Sequence, residues 1–337
     1  MILNNSMHFF LASNSPTGFF SKMDIFGKNL PKDWKCNVIK GNPGCGKSTY
    51  MRKIADEIKQ MGMKVEYIHC PSDPDSLDGV IFPDLKLCYV DGTAPHVIDP
   101  LLPGITGNII DLSESANIND SIKNKNKILE LNKESKKFYN QTQKYLISFR
   151  SILSNSIEDH IEKINFEYIK KLSNRISKKY FSKKLSKNAS TSIRMISSFG
   201  PKGLLILNQN FENYDKIYQI NDDLNTESDI LFRHLINLSN KNGYNIIICI
   251  NPISLNEKIE SLIFPELKLA FFAKNRWHKQ AIKQQKNINE IKISKNKQIN
   301  NNDKDILDLL ILKATNSMRK NLNVHLYTEK IYTDRNN

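Results

Sequence analysis

Residues 41–49 have the sequence GNPGCGKST, and this stretch decides the predicted fold. A strand-like apolar run precedes it at residues 36–39, and a helix-like run follows it at residues 50–60. The spacing fits G-x-x-x-x-G-K-[ST], in which the glycines let successive backbone N–H groups approach a phosphate closely. The positive N-terminal end of the following helix also favours an anion. The order strand, loop, helix therefore predicts an α/β fold with a phosphate-binding loop, here called the phosphate loop (residues 41–49).

Two side chains of the phosphate loop have specific expected roles. Lys47 is expected to reach the β- and γ-phosphates of a nucleoside triphosphate, and the Ser48 hydroxyl is expected to ligate Mg²⁺. The sequence shows no base-specificity motif, so ATP and GTP both stay open. Cys45 is interpreted as a small residue that fits the loop rather than as an oxidation-sensitive thiol. The predicted nucleotide-binding residues are Gly41, Asn42, Pro43, Gly44, Cys45, Gly46, Lys47, Ser48 and Thr49.

A second metal-ligating carboxylate is expected at the end of a buried strand. The sequence LKLCYVD at residues 85–91 predicts an apolar strand that ends at Asp91, whose carboxylate would hold Mg²⁺ directly or through water. Gly92 follows it, in place of the glutamate that many ATPases use to activate water, so hydrolysis is expected to be slow. The alternative is a strand-terminal Asp-Gly turn that binds no metal.

An acidic segment, PSDPDSLDG at residues 71–79, follows a predicted strand at residues 65–69. Asp73 and Asp75 are candidate catalytic carboxylates, because side chains at the carboxyl end of a parallel strand face the ligand crevice. There they could accept a proton from a substrate hydroxyl or join the metal shell. Turn formation by Ser-Asp-Pro-Asp explains the same residues equally well.

The chain contains an internal repeat. IFPDLKLCYVDGTAPH, at residues 81–96, resembles IFPELKLAFFAKNRWH, at residues 263–278, with six identities in the first ten positions. Further similar pairs lie upstream of both stretches, at residues 51–70 and 231–250 and at residues 9–20 and 194–205. Alternating strands and helices in each copy predict a mostly parallel α/β sheet that is present twice.

The second copy has lost the residues of the phosphate loop. Its corresponding sequence is DDLNTESD at residues 222–229, which has no glycine or lysine and whose carboxylates would repel a polyphosphate. The position of Asp91 corresponds to Ala273. The second copy is therefore predicted to be catalytically inactive. His96 is a candidate phosphate sensor, but its counterpart His278 is retained where no phosphate loop exists, which favours a structural role.

The segment between the two copies is predicted to be helical and basic. Residues 108–199 contain neither glycine nor proline, and their apolar spacing predicts two amphipathic helices that break at residues 154–156 and form an antiparallel hairpin. Residues 121–190 carry 17 Lys and Arg against 6 Asp and Glu, which we interpret as a solvated surface in preference to a nucleic-acid site. The predicted apolar positions are Ile128, Leu131, Phe138, Tyr145, Phe149, Ile152, Ile157, Ile161, Ile164, Tyr168, Leu172 and Ile176.

Length and composition bound the remaining expectations. The 337 residues carry a net charge of +14 and suffice for two ordinary domains or one large one. No apolar run approaches the ~20 residues of a membrane helix, the first residues lack a signal-peptide pattern, and the five cysteines lack paired or metal-ligand spacing. We therefore expect a cytoplasmic protein with no membrane contact. The predicted domains are the nucleotide-binding copy (1–112), the basic hairpin (113–190), the second copy (191–282), and a polar linker with a C-terminal helix (283–337).

Residues 7–103 resemble the P-loop NTPase superfamily. More narrowly, VIKGNPGCGKSTYMRKIADEI, HCPSDPDSLDGV and YVDGTAPHVIDP are similar to a family of bacterial proteins with two tandem P-loop domains, described as ATPases or nucleotide kinases. The resemblance covers both copies and implies a P-loop NTPase-type α/β fold, duplicated, with a bound nucleotide and no established substrate. In that family the second domain often has its own G-x-x-x-x-G-K-[ST], which the second copy of this sequence lacks.

Three functions are weighed on these grounds. The preferred one is a Mg²⁺-dependent ATPase whose hydrolysis acts on the hairpin or on an unknown protein partner. The second is a small-molecule or nucleotide kinase in which Asp73 and Asp75 position the acceptor, although the sequence shows no arginine-rich lid. The third is a nucleotide-gated binding module for nucleic acid through residues 121–190, where most aromatic residues have core spacing and so are poor candidates for base stacking.

Overall fold

The computed structural model of the chain describes residues 6–94, 97–113, 122–185, 188–212, 214–254, 256–279, 288–293 and 299–333. The chain divides into two units. Unit 1 consists of Met1–Ser13, Phe19–Thr142 and Thr315–Asn337, and unit 2 consists of Asn14–Gly18 and Gln143–Ala314.

Unit 1 is built on a six-stranded sheet. The strands up to residue 111 are β1 (Ser6–Phe9), β2 (Ala12–Ser15), β3 (Gly18–Ser21), β4 (Lys35–Lys40), β5 (Val65–His69), β6 (Leu77–Phe82), β7 (Leu87–Asp91) and β8 (Ile109–Asp111), and all except β2 and β3 belong to this sheet. The sheet has the order β1-β5-β6-β7-β4-β8, and β2 pairs with β3 in a separate two-stranded sheet. Strand β6 is antiparallel to both of its neighbours, and the other three pairings are parallel.

Helix α1 (Lys47–Gln60) packs on this sheet through an apolar face. Met51 and Ala55 on that face are fully buried. The helix starts after residues 41–46, the loop that leaves the carboxyl end of β4. Residues that are buried on and under this helix form one cluster: Ile39, Met51, Ala55, Val65, Tyr67, Leu77, Val80 and Phe82.

The strand predicted for residues 85–91 is shorter than expected. Pro83–Leu85 form one 3-10 turn, and Lys86 has a φ of 50°, so β7 starts only at Leu87. The reason is that β6 and β7 are antiparallel and the chain must reverse between them within a few residues. Leu85 is consequently 40% exposed and does not belong to the core.

The helical segment differs from its prediction in where it breaks. Helix α2 (Lys125–Ile161) continues through residues 154–156, where the Ser154 hydroxyl donates to the Ser151 carbonyl within the helix, at 2.7 Å. Helix α3 (Phe166–Tyr180) starts after Asn165, whose side chain accepts the Tyr168 backbone N–H at 2.9 Å. Serine is tolerated inside a helix, whereas an asparagine N-cap fixes its start.

Two predicted core positions of these helices are wrong. Ile161 is 44% exposed and Tyr168 is 37% exposed, while Leu146 and Ile169 are buried instead. The prediction used alternating spacings of three and four residues, which average 3.5. A straight helix has 3.6 residues per turn, so such a stripe drifts by about 20° per heptad away from the face that packs.

Unit 2 contains a second six-stranded sheet. The strands and the helix of residues 191–291 are, in chain order, β9 (Thr191–Arg194), β10 (Ser197–Gly200), β11 (Gly203–Ile206), β12 (Lys216–Asn221), α4 (Glu227–Lys241), β13 (Ile246–Ile250), β14 (Ile259–Phe264), β15 (Leu269–Lys274) and β16 (Ile288–Ile291). The sheet has the order β9-β13-β14-β15-β12-β16, and β10 pairs with β11 separately. Strand β14 is antiparallel to both neighbours, so the order and orientations equal those of unit 1. The predicted α/β class with mostly parallel sheets is confirmed.

The C-terminal region combines a predicted helix with an unpredicted strand. Residues 288–291 lie in the stretch interpreted as a polar linker or a solvated helix, yet they form β16, which pairs in parallel with β12. Ile288 and Ile291 supply enough apolar surface for an edge strand. Helix α5 (Asn301–Thr333) follows. The apolar spacing of Leu307, Leu310, Ala314 and Met318 predicts this helix, and all of these side chains are buried except Leu310, which is half-buried.

Two further expectations concern the whole chain. Of the helices in the described ranges, none combines the length and the apolar character that a membrane crossing needs. All five cysteines lie in the described ranges, and none of them forms a disulfide.

Candidate nucleotide site

The phosphate loop connects β4 to α1 and carries the backbone conformations that its glycines allow. Val38 and Ile39 of β4 are fully buried, so the strand is fixed in the sheet directly before the loop. Gly44 has a φ of 76° and Gly46 a φ of 92°, both in the left-handed region that favours glycine. The loop therefore reverses the chain and delivers it into the first turn of α1 at Lys47.

Lys47 and Asp91 lie side by side. The Lys47 ammonium group donates to the carbonyl oxygens of Gly41 (2.9 Å) and Asn42 (3.1 Å) and lies 3.6 Å from the Asp91 carboxylate. Their side chains are only 11% and 18% exposed. This proximity follows from the sheet, because Asp91 on β7 is paired with Ile39 on β4.

The orientation of Asp91 depends on a residue that the sequence did not single out. The backbone N–H and the hydroxyl of Thr93 both donate to Asp91 Oδ1, at 2.9 and 2.6 Å. Oδ2 is the oxygen that faces Lys47. An Asp-x-Thr sequence at a strand end is the signal that could have predicted this arrangement.

Ser48 connects the phosphate loop to the acidic segment. Its hydroxyl oxygen accepts a hydrogen bond from the Leu77 backbone N–H at 3.0 Å. Within the segment, the Asp73 carboxylate accepts from the Ser76 hydroxyl at 2.6 Å and from the Asp75 backbone N–H at 3.4 Å. Asp73 is thus engaged in its own turn. The Asp75 carbonyl accepts a hydrogen bond from Arg52 of α1.

A pair of histidines supports the start of the acidic segment. His69 Nδ1 lies 2.8 Å from the Pro74 carbonyl oxygen and must therefore carry the proton that this oxygen accepts. In the neutral ring His69 Nε2 is then an acceptor, and His8 Nδ1 donates to it at 2.9 Å. The His8 ring also stacks on Tyr67, with centroids 4.9 Å apart.

Both histidines are held neutral by their surroundings. Burial is the largest cause that lowers the pKa of His8, from 6.5 to about 4, and unfavourable electrostatics beside His69, Lys59 and Arg52 lower it further. Burial also lowers the pKa of His69, against the opposing effect of its bond to Pro74. No sequence pattern predicts this pair, since the two residues are on separate strands and belong to no motif.

The last turn of α5 lies against the phosphate loop. A Cβ atom added to Gly44 would lie 2.6 Å from Thr333 Cγ2 and 3.5 Å from the Cβ and from the carbonyl oxygen of Glu329. These residues belong to the same unit as the loop. The sequence predicts the helix but not this contact.

The described residues offer few protein ligands for a metal. Among them, no group of three or more His, Cys, Asp or Glu side chains could hold an ion. Ser48 and Asp91 alone would leave most positions of a Mg²⁺ shell to water and phosphate oxygens, as is usual for this ion. Ser48 and Asp91 fit that mode of binding.

The sulfur of Cys45 lies 3.9 Å from the Lys47 ammonium nitrogen.

The corresponding loop of unit 2, residues 222–229, is here called the second loop. Its Asp222 carboxylate accepts hydrogen bonds from the backbone N–H (2.8 Å) and the hydroxyl (2.7 Å) of Ser228, and Asp222 is only 2% exposed. The Glu227 carboxylate is also buried and lies 3.3 Å from His160 Nε2. Ala273 is paired with Ile220 as Asp91 is paired with Ile39.

His278 has a fully bonded ring in unit 2. Its Nδ1 accepts from the Asn275 backbone N–H at 3.1 Å, so its Nε2 donates to Glu260 at 2.9 Å. The other oxygen of Glu260 accepts from the Ser197 hydroxyl at 2.7 Å. These buried contacts support a structural role for His278. His96 lies outside the described residues.

Comparison of the chain with protein-family models, with curated proteins and with solved structures gives no match.

Proposed function

We propose that unit 1 binds a nucleoside triphosphate, with ATP as the preferred nucleotide, together with Mg²⁺, and hydrolyses it slowly. The observation that carries this proposal is the position of Lys47, which lies at the phosphate loop and 3.6 Å from Asp91. The adjacent parallel strands β4 and β7 bring the loop and this carboxylate to the same edge of the sheet. Ligands of open α/β sheets bind at that edge.

The chain's own residues would act on the phosphates in defined ways. Loop N–H groups and Lys47 would hold the β- and γ-phosphates, with Lys47 turning from its present carbonyl partners towards the anion. Ser48 and Asp91 would hold Mg²⁺, which supplies charge neutralisation when it is bound. Since Gly92 offers no carboxylate to activate water, turnover should be slow without an activating partner.

We further propose that unit 2 is an inactive duplicate of unit 1. The equal strand order of the two sheets supports the duplication. So do matching positive φ values, which are 77° and 81° at Gly62 and Gly243 and 50° and 45° at Lys86 and Lys268. Inactivity is supported by Asp222, which already occupies a loop N–H of the kind that a phosphate would need.

One contact favours a second reaction, phosphoryl transfer to an acceptor. The bond from the Leu77 N–H to the Ser48 hydroxyl holds the acidic segment beside the phosphate loop. A kinase would need its acceptor carboxylates in that place. Asp73 is committed to its own turn, so Asp75 is the better candidate for this role.

The proposed ATPase acts on an unidentified protein partner or on the helical segment, and the basic residues 121–190 are interpreted as a solvated surface. Nucleic acid is less favoured, because Phe149 and Phe181 are fully buried and could not stack on bases. Binding of single-stranded RNA that weakens steeply with salt would reverse this preference.

The test is calorimetric titration of MgATP and MgGTP into the wild type, Lys47→Ala and Lys53→Ala. Lys53 is an exposed lysine of the same helix and is the matched control. We expect one ATP per chain, affinity reduced by at least about a hundredfold in Lys47→Ala, and wild-type affinity in Lys53→Ala. Release of phosphate would then identify the hydrolase, and labelling of an added acceptor the kinase.

Three results would contradict parts of the proposal. Absence of binding to the wild type and to every variant would refute the nucleotide site. Two nucleotides per chain would refute the inactive second copy. Equal losses in Lys47→Ala and Lys53→Ala would show that only the general positive charge matters.

A further inference from the structure

The end of helix α5 covers a part of the phosphate loop that a nucleotide would need. Thr333 and Glu329 lie one turn apart on the helix, and atoms of both lie within 3.5 Å of the position that a Cβ on Gly44 would take. The space in front of this glycine is therefore filled by the chain itself. Gly44 also has the left-handed φ of 76° that lets its neighbouring amides turn towards an anion.

The charged side chain that starts beside Gly44 at this end of the helix is the carboxylate of Glu329. Glu329 Oε1 lies 3.4 Å from His325 Nε2, one turn earlier on the same helix. Hydrogen bonding from His325 is the largest cause that lowers the pKa of Glu329, and the Lys47 charge and the Gly44 N–H lower it further against partial burial. The Glu329 side chain therefore starts beside Gly44 and feels the electrostatic influence of a cation and of a backbone N–H, the two kinds of loop group that a phosphate would meet.

We propose that the C-terminal turn of α5 is an autoinhibitory cap, in which the Glu329 carboxylate substitutes for a nucleotide phosphate on the phosphate loop. Nucleotide and cap exclude each other, because both need the space and the N–H group at Gly44. Binding then displaces the last turn of the helix and couples the nucleotide state of the loop to the position of residues 325–333. This inference rests on the nucleotide site proposed above.

The second loop offers a comparison, because there a carboxylate of the loop itself accepts a backbone N–H. There the carboxylate is Asp222, a residue of the loop itself, and it is almost fully buried. Glu329 comes from the end of a separate helix, and its side chain is 32% exposed. A terminal helical turn can fray at low cost, so this carboxylate can leave the loop when a competing anion arrives.

Affinity measurements test the cap with a matched pair of variants. Glu329→Gln keeps the size of the side chain and removes its charge, and Asp305→Asn removes one charge from an exposed position of the same helix. We expect Glu329→Gln to bind MgATP and inorganic tripolyphosphate about tenfold more tightly than the wild type, since a charge-assisted contact no longer competes. Asp305→Asn should bind both ligands as the wild type does.

Amide hydrogen exchange tests the docking of the helix independently of affinity. In the full-length protein, exchange at residues 325–333 should become at least about threefold faster in Glu329→Gln without any ligand, and equally so in the wild type on addition of tripolyphosphate. Asp305→Asn should leave it unchanged.

The outcomes separate the cap from the nucleotide site. Unchanged affinity together with unchanged exchange in Glu329→Gln would refute the cap while leaving the nucleotide site intact. Faster exchange in Glu329→Gln without binding of ATP or tripolyphosphate to any variant would support the docked helix and refute the nucleotide site, and with it the inhibitory role. Weaker binding in Glu329→Gln would also overturn the inference, because it would make Glu329 a ligand-supporting residue.

Discussion

Lowering the pH from about 7 to about 5 should destabilise unit 1 through His8. This residue lies on β1, with its ring stacked on Tyr67 and its Nδ1 bonded to His69. Burial lowers its pKa from 6.5 to about 4, and unfavourable electrostatics beside His69, Lys59 and Arg52 act in the same direction. Protonation would add the second proton at His8 Nε2, the ring nitrogen that does not face His69, and would place a positive charge in this largely buried site.

The size of the effect follows from proton linkage. Because the folded chain holds His8 neutral down to about pH 4, only the unfolded chain gains the proton as the pH falls below 6.5. Stability is therefore unaffected above that value and is lost between pH 6.5 and about 4. With about 1.4 kcal/mol for each unit of pKa difference, the loss at about pH 5 is about 2 kcal/mol. That is a large part of the roughly 5–15 kcal/mol of an ordinary domain.

Urea unfolding at about pH 7 and about pH 5 measures this loss. In a Trp277→Phe background, Trp34 is the remaining tryptophan and its fluorescence reports on unit 1. His8→Gln retains an N–H that can donate to His69 but cannot gain a proton, so its loss should be about 2 kcal/mol smaller than that of the parent. His234→Gln, in unit 2, should follow the parent. Equal losses in His8→Gln and the parent would refute the reasoning and place the proton uptake elsewhere.

Two further pairs of substitutions test the loop and the helix start, again by urea unfolding. Gly62→Ala should lower the free energy of unfolding by about 1 kcal/mol, because Gly62 has a φ of 77° and the added Cβ has nothing within 4 Å. Gly44 has nearly the same φ, but its added Cβ meets Thr333, so Gly44→Ala should lower the free energy of unfolding by about 1–2 kcal/mol more. Equal costs would mean that the end of α5 does not press on the loop. Asn165→Ala should lose about 1 kcal/mol through the missing N-cap of α3, while Asn174→Ala, exposed within the same helix, should be neutral or slightly stabilising. Equal losses of stability in Asn165→Ala and Asn174→Ala would refute the role of Asn165 as the N-cap of α3.

The parts of unit 1 that the sequence predicts well are those coded by neighbouring residues. Strand β4, the phosphate loop and α1 are consecutive in the chain, so a spacing pattern is enough to identify them. The placement of Asp91 beside Lys47 needed one additional assumption, that β7 lies next to β4 in the sheet. The structure has this pairing, with Asp91 opposite Ile39.

The features that the sequence could not predict depend on residues that are far apart in the chain or on small angular deviations that add up along a helix. His8 and His69 meet because β1 and β5 pair in parallel, which no local pattern encodes. The contact of Glu329 with Gly44 likewise joins opposite ends of the chain. The break expected at residues 154–156 is absent for another reason, since a helix tolerates these polar residues, whereas the N-cap at Asn165 fixes the start of α3.

Comparison of the two loops shows that one left-handed position does not need glycine. Asn225 in the second loop has a φ of 50°, where Gly44 has 76°, because asparagine tolerates the left-handed region. A second such position is not retained, since Gly46 directly before α1 has a φ of 92° whereas Thr226 directly before α4 has a φ of −102°. The two loops also differ in the carboxylate beside them: Asp222 is part of its loop and buried, whereas Glu329 lies at the end of a separate helix. Under the proposed cap and the proposed inactivity of unit 2, a phosphate would compete with the second arrangement but not with the first, and charge placement would then decide which unit binds a nucleotide.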